Sequence, residues 1–315
     1  MDIASHNVNG FKRRVDSGIK YFKKMKYLYL LLIPAVAYYV IFKYIPMYGV
    51  IIAFKNFNFA KGIFGSEWIG FENFKYLFGL DNFYIVFINS ILLSFIRLLW
   101  GFPIPIILAL LLNEMGKLRY KKVLQTLVYL PHFISWVVMG GIIISFLSPT
   151  WGVINYMIKA LGGDPVFFMG RPEYFRKIIV ISDIWKGAGW GTIIYLAAIT
   201  GINPELYEAA IVDGANKFHR LWYITLPCIR TTIVLCLILR LGTIMNNGFE
   251  QIFILQNSQN LSVSEVFETW TYKLGLINGR FSFATTVGLF TSVISLIFLI
   301  AADRIAKKLG EEGIF

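Results

Sequence analysis

Apolar runs long enough to cross a lipid bilayer recur along this chain, and they leave few folds open to it. A spanning helix needs about 20 mostly apolar residues. Such runs are read at 27–53, 83–112, 123–147, 178–200, 229–248 and 284–302. The hydrocarbon core holds no water, so each backbone amide must be satisfied within its own segment, and these runs must be helices. Composition agrees. Of 315 residues, 57% are hydrophobic and only 15% charged, where soluble domains carry about a quarter charged residues; the mean hydropathy is +0.64. An all-α integral membrane protein with six transmembrane helices is expected. Pro34 and Pro46 interrupt the first run, predicting a bend or an early exit from the bilayer there. No internal repeat, low-complexity segment or soluble domain is legible.

The net charge of +12 falls in short clusters beside the apolar runs. A nucleic-acid binder would instead carry basic patches on a polar surface, so no nucleic-acid partner is expected. Lys12, Arg13, Arg14, Lys20, Lys23, Lys24 and Lys26 precede the first run, Lys117, Arg119, Lys121 and Lys122 follow the second, and Lys217 and Arg220 follow the fourth. Arg304, Lys307 and Lys308 close the chain. With six spans these segments share one side, and the basic bias makes that side the cytoplasm. The expected organisation is a cytoplasmic tail 1–26, a membrane domain 27–302 and a cytoplasmic tail 303–315, with loops 54–82, 148–177 and 249–283 outside. No cleavable signal pattern is read at the N-terminus. Cys228 and Cys236 read as small apolar residues, without disulfide or metal spacing.

Segment 203–227 is the anomaly, a mixed, charged, helix-like stretch between two apolar runs. Asn203 and Pro204 form an N-cap and first-turn proline, and Glu205 and Glu208 complement the helix dipole. Asp213-Gly214 is a stop. A short helix over Pro204–Val212 and a second over about 215–225, broken by Pro227, give a helix–turn–helix on the inner membrane face. Ala209 and Ala210 would let another surface approach closely, and Glu208 offers a carboxylate to a basic partner. Phe218, Leu221, Trp222 and Ile224 would anchor the second helix against the spans. The same stretch could equally be an amphipathic loop resting on headgroups.

The word order resolves this. Glu208-Ala209-Ala210, three residues, Gly214, nine residues, Ile224, one residue, Leu226-Pro227 resembles the EAA loop of binding-protein-dependent ABC importer permeases. The Asp213-Gly214-Ala215 variant, PHFIS at 131–135 and the run from Trp185 to Gly191 resemble the carbohydrate-uptake, maltose-permease-like branch. IPMYGVIIAFKNFN near the start and KKLGEEGIF at the end resemble its polysaccharide-fragment subgroup. The resemblance implies a type I ABC importer permease fold, with Glu205, Glu208, Ala209, Ala210, Asp213 and Gly214 coupling to the ATPase. It implies a bacterial cell membrane location, a second homologous permease in a heterodimer, two cytoplasmic ABC ATPase subunits and an extracytoplasmic solute-binding protein. ATP and Mg would be bound by the ATPase, with no cofactor in this chain.

Ionisable groups within the bilayer are costly and so mark function. Asp183, Lys186, Gly187 and Trp190 fall at i, i+3, i+4 and i+7, on one helix face. A carboxylate, an ammonium, a gap and an aromatic plate suit a sugar; an ion pair at the outer membrane edge is the alternative. His132 is either a packed histidine or a ligand contact. Met245, Asn246, Asn247 and Gly248 end the fifth run, where the amides could bind hydroxyls or cap a helix. In maltose-type permeases these three regions line the sugar pocket. That resemblance assigns His132, Asp183, Lys186, Gly187, Trp190, Met245 and Gly248 to substrate. The family pocket is mainly neutral, and the charges here point to an acidic or otherwise unusual oligosaccharide, with Lys186 and His132 meeting a uronate. Arg97, read as the remaining intramembrane charge, has a structural role, snorkelling or bonding to a neighbour's carbonyls.

Other classes fit less well. No HExxH, GxSxG or Walker A pattern is present, which argues against a membrane enzyme or an ATP-hydrolysing chain. A secondary transporter would show repeats with broken helices at matching positions, and none is legible. A sugar alcohol or glycerol-phosphate compound is the alternative cargo.

Overall fold

The computed structural model describes residues 24–115, 118–311 and 313–314. Most of the expected basic tail, with Lys12, Arg13, Arg14, Lys20 and Lys23, lies outside those residues, as does Lys117.

Three helices are long and apolar enough to cross a membrane: Lys26–Phe54, Asp81–Asn113 and Phe281–Lys308. They form the first, second and sixth spans. The first passes both of its prolines without leaving helical winding. A π turn at Val40–Tyr44 precedes Pro46, and 3-10 winding follows over Tyr48–Phe54. These local changes of pitch accommodate the missing proline donor, so the expected early exit does not occur. The fourth span, Pro172–Thr200, is a 29-residue helix that starts on a first-turn proline. It is long enough to cross, although Asp183 and Lys186 interrupt its apolar run.

The third and fifth spans are not the straight helices expected at 123–147 and 229–248. Arg119–Phe133 and Trp136–Phe146 meet at 102°. Pro131 starts the disturbance, Ile134 and Ser135 are extended, and the Ser135 hydroxyl caps the new helix by accepting from the Val138 amide at 3.3 Å. In the fifth, Lys217–Cys228 and Arg230–Gly242 meet at 59°. Arg230–Gly242 has 13 residues, rising only about 20 Å. The chain then unwinds over residues 243–248 and resumes as the helix Phe249–Leu255, whose Gln251, Ile252 and Leu255 are buried. The segment assigned to an outer loop from 249 onward therefore begins inside the packed body. The sixth helix likewise runs past the expected boundary at 302 to Lys308, with Asp303 buried.

Three apolar clusters hold the spans together. Leu93, Met139, Ile179, Ile252 and Leu255 join the second, third and fourth spans to the resumed helix. Phe83, Val86, Met245, Phe267, Trp270 and Val287 join the second span to the sixth and to the segment between the fifth and sixth. Ala109, Leu110, Tyr195, Ile199 and Ile229 pack the inner ends. The first span contributes almost nothing until its end, where Ala53 is buried.

The third and fourth spans approach unusually closely at Gly189. A Cβ there would sit 2.1 Å from the Val128 carbonyl oxygen, a backbone atom that cannot rotate away. Gly189→Ala is therefore expected to push the spans apart and destabilise the purified protein by about 1–3 kcal/mol. Gly187→Ala, where a Cβ meets nothing within 4 Å, should melt like wild type. Equal melting of the two variants would refute this packing.

Candidate functional site: a broken span and an inner-face elbow

The unwound stretch Thr243–Gly248 lacks helical partners for its backbone, and its buried residues Ile244, Met245 and Asn247 must find them elsewhere. The second span supplies them. The Ser94 hydroxyl contacts the Ile244 carbonyl and lies 3.0 Å from Asn247 Oδ1. The Arg97 guanidinium donates to the Asn247 carbonyl and to Gln251 Oε1, and its Nε lies 4.0 Å from Asp183 Oδ2 on the fourth span. Gln251 Nε2 continues the network, donating to the Ile179 carbonyl and the Ser182 hydroxyl, each at 2.8 Å. On the other side the Glu268 carboxylate accepts from the Asn247 amide at 3.0 Å. Arg97 is 4% exposed and Asn247 is fully buried. Arg97 thus bonds to a neighbour's carbonyl, one of the two roles read for it.

Gly248 closes this stretch at φ +76°, a conformation suited to glycine. Its amide donates to Asn246 Oδ1 at 3.1 Å. Asn246 is exposed and lines, with Met245, Glu268 and Ser292, an open cavity of about 460 Å³.

The four residues on one face of the fourth span are divided between two neighbours. Asp183 faces Arg97 rather than Lys186, so the i,i+3 ion pair weighed as the alternative does not form. Lys186 Nζ donates to the His132 carbonyl at 2.8 Å and to the Ile134 carbonyl, and it lies 5.5 Å from the Trp136 ring centre. It caps the break in the third span, and its ammonium is occupied there. The His132 ring stacks on Trp190 at 4.5 Å and 5°, with Phe133 edge-on to the same indole at 6.2 Å. Trp190 and Phe133 are exposed. Their flat, open faces suit the apolar face of a sugar ring. Asp183 and Gly187 line a separate cavity of about 290 Å³ with Pro105, Gly191 and Arg240. His132, Lys186 and Trp190 are thus brought together, as are Asp183 and Asn247 through Arg97. The two groups do not touch.

Ser94, Gln251, Glu268 and Arg240 are absent from the residues singled out in the sequence. Arg240 interrupts the apolar run 229–248. The argument that marks Arg97 marks it equally.

Beyond the end of the fourth span, the helix Pro204–Val212 forms as its caps predict. Asn203 Oδ1 accepts from the Glu205 amide at 3.1 Å. At the far end Gly214 adopts φ +78°, with Ala215 N–H donating to the Ala210 carbonyl at 2.8 Å and Gly214 N–H to Ile211 at 3.0 Å. This is a Schellman closure, which satisfies the last carbonyls. Glu205, Glu208, Ala209, Asp213 and Gly214 are exposed and Ala210 half-buried. The elbow is tied down by Tyr207 Oη and the buried Thr225 hydroxyl at 2.9 Å, and by Lys217 and Glu114 at 3.8 Å. Leu221 packs on the inner apolar cluster. Phe218 and Trp222, expected as anchors, are 68% and 53% exposed. The π turn at Leu221–Thr225 rotates the face of this second helix away from the regular register.

The chain thus combines apolar spanning helices, two further spans that are sharply bent, and a short exposed helix capped at both ends, a make-up that fits a membrane transport component. Residues 82–311 match the family described as binding-protein-dependent transport system inner membrane component, and the chain belongs to it. It is an ABC importer permease of the inner membrane.

Among its relatives is Protein LplB of Bacillus subtilis (strain 168), 48% identical over 93% of this chain and 92% of that one. The polygalacturonan/rhamnogalacturonan transport system permease protein YteP of the same organism is 45% identical over 93% of this chain and 91% of YteP. A chain of a bacterial alginate ABC transporter, solved with an alginate pentasaccharide-bound periplasmic protein, superposes with a TM-score of 0.86. It is 42% identical, covering 94% of this chain and 99% of that chain.

Proposed function

We propose that this chain is one of two unlike membrane halves of an importer for acidic oligosaccharides released from polysaccharide. An extracytoplasmic binding protein delivers the sugar. Two separate ATPase subunits bind ATP and Mg, and they drive the cycle through the elbow Pro204–Val212. The chain itself catalyses no reaction, and both of its ends face the cytoplasm.

The observation that carries the cargo class is the near full-length likeness to YteP together with the likeness to the alginate transporter. Polygalacturonan, rhamnogalacturonan and alginate are all acidic polysaccharides. The geometry supports it. Arg97, Lys186 and Arg240 bring more positive than negative charge to the faces around Asp183, and Trp190 with His132 offers a stacking platform. On this reading His132, Trp190, Asp183, Gly187 and Asn246 meet the sugar, supported by the stacking platform and the two cavities they border. Lys186, Met245, Asn247 and Gly248 shape the walls.

A tagged chain extracted in mild detergent should carry with it a second permease and two copies of an ATPase. Proteoliposomes holding that complex should import an oligogalacturonide only when a binding protein is outside and ATP inside, and should leave a neutral maltooligosaccharide behind. Uptake by this chain alone, driven by a proton or sodium gradient, would overturn the proposal. So would a preference for the neutral sugar.

A further inference from the structure

We infer that Arg240 is the intramembrane residue that binds the substrate's carboxylate, and that its cavity takes a hexuronate unit. This rests on the acidic-oligosaccharide reading above and gives it a site.

Three basic side chains lie within the second, fourth and fifth spans near the broken stretch, and two are committed. Arg97 spends its guanidinium on the Asn247 carbonyl, Gln251 and Asp183. Lys186 spends its ammonium on the His132 and Ile134 carbonyls. Arg240 stands in the last turn of Arg230–Gly242, just before the chain unwinds. Its side chain is exposed, and among the described residues no hydrogen bond or ion pair reaches its guanidinium.

It lines the cavity of about 290 Å³ between the second, fourth and fifth spans, opposite Asp183. That volume is close to the lower end of small-molecule sites, roughly 300 Å³. Of the glycines in its walls, Gly191 packs against Pro105 and Gly101 against Ile184, while Gly187 faces open space. A Cβ added at Gly187 would meet nothing within 4 Å.

The charges there select an anion. The Asp183 carboxylate lies toward Arg97 and is not the partner of Arg240. A second guanidinium behind it reinforces the positive potential. An unpaired cation in a membrane domain is costly, and such a group belongs to a pathway or a ligand. A guanidinium presents a planar fork that matches a carboxylate in bidentate fashion, and such charge-assisted pairs are stronger than neutral hydrogen bonds. Asp183, acceptor-only when ionised, can take hydrogen bonds from sugar hydroxyls across the same cavity. The combination of one carboxylate receptor, one hydroxyl receptor and the open face at Gly187 fits a uronate ring better than a neutral hexose.

The test uses the detergent-solubilised permease–ATPase complex without binding protein, so that delivery does not select the ligand. Trigalacturonate and its fully methyl-esterified form serve as probes, because they differ only in charge. Wild type should bind the acid about tenfold or more tightly than the ester, the scale of one charge-assisted pair. Arg240→Gln should weaken acid binding to the level of the ester and leave ester binding unchanged. Arg240→Lys should retain part of the preference. A persistent preference in Arg240→Gln would overturn the assignment, and so would equal weakening of both probes, which marks a structural role. Wild-type complex that binds acid and ester alike would also overturn it. In that last case, ATP-driven uptake of the acid by the complete importer would still uphold the cargo reading, so the two failures are distinguishable.

Discussion

Replacing Arg97 with methionine is expected to destabilise the purified chain by roughly 3 kcal/mol or more and to abolish transport. The side chain is 4% exposed, so its removal cannot be repaired by water from the surface. Two acceptors, the Asn247 carbonyl and Gln251 Oε1, would lose their donor, and the Asp183 carboxylate would lose the cation that lies 4.0 Å from it. Each unsatisfied buried polar group costs about 1–3 kcal/mol, more for a charged one. The unwound stretch Thr243–Gly248 would keep only Ser94 and Glu268 as side-chain supports from other elements. The measurement is the melting temperature of the solubilised protein, with Asp183→Asn and the double variant alongside. Asp183→Asn alone should be mild, because Arg97 keeps its two other acceptors. The double variant should recover little, because the Asn247 carbonyl and Gln251 remain unpaired. A melting temperature for Arg97→Met within about 2 °C of wild type, or full recovery in the double variant, would show that the arginine does not hold the break.

That arginine also shows how far the sequence could be read. Hydrophobicity alone locates all six apolar runs, because transfer to lipid depends on local composition. The caps of Pro204–Val212 are equally legible, since Asn203, Pro204 and Gly214 act on the neighbouring backbone within a few residues. The breaks in the third and fifth spans are not. Pro131 and Gly242 permit an interruption, but what maintains it comes from elsewhere in the chain. Lys186 caps the first break from 54 residues away, and Arg97 caps the second from 150 residues away.

Side-chain spacing on one helix places Asp183 and Lys186 together, yet each bonds to a different neighbour. Helical periodicity describes a face and says nothing of the strongest partner across it. Phe218 and Trp222 fail for a related reason. Their spacing assumes regular α pitch, and the π turn over Leu221–Thr225 changes it. Arg240 is different again. It was visible inside an apolar run from the start, and only its freedom from partners needed the structure.

The elbow leads to the second large effect. Glu208→Lys and Gly214→Trp should each reduce ATP-driven uptake more than about tenfold, while the chain still inserts and folds. The separation of function from stability follows from the local geometry. Glu208 is exposed, and its helix buries no residue within this chain. Gly214 is exposed and a Cβ there meets nothing within 4 Å, which leaves a larger side chain room to point away from the chain. Its internal effect is confined to the left-handed backbone at φ +78°, about 1–2 kcal/mol for a residue with a side chain. Gly214→Ala imposes that same strain without the bulk, and it is the control. It should keep most of its uptake, whereas Gly214→Trp should not. The charge reversal acts instead on an electrostatically matched partner surface. On the proposed coupling role, force passes through the Tyr207–Thr225 contact and the helix Lys217–Cys228, which meets Arg230–Gly242 at 59°. A push on the exposed helix would then reach the span that ends in the stretch held by Arg97 and Ser94. Normal uptake together with normal ATPase co-purification in both variants would sever that chain of transmission at its first link.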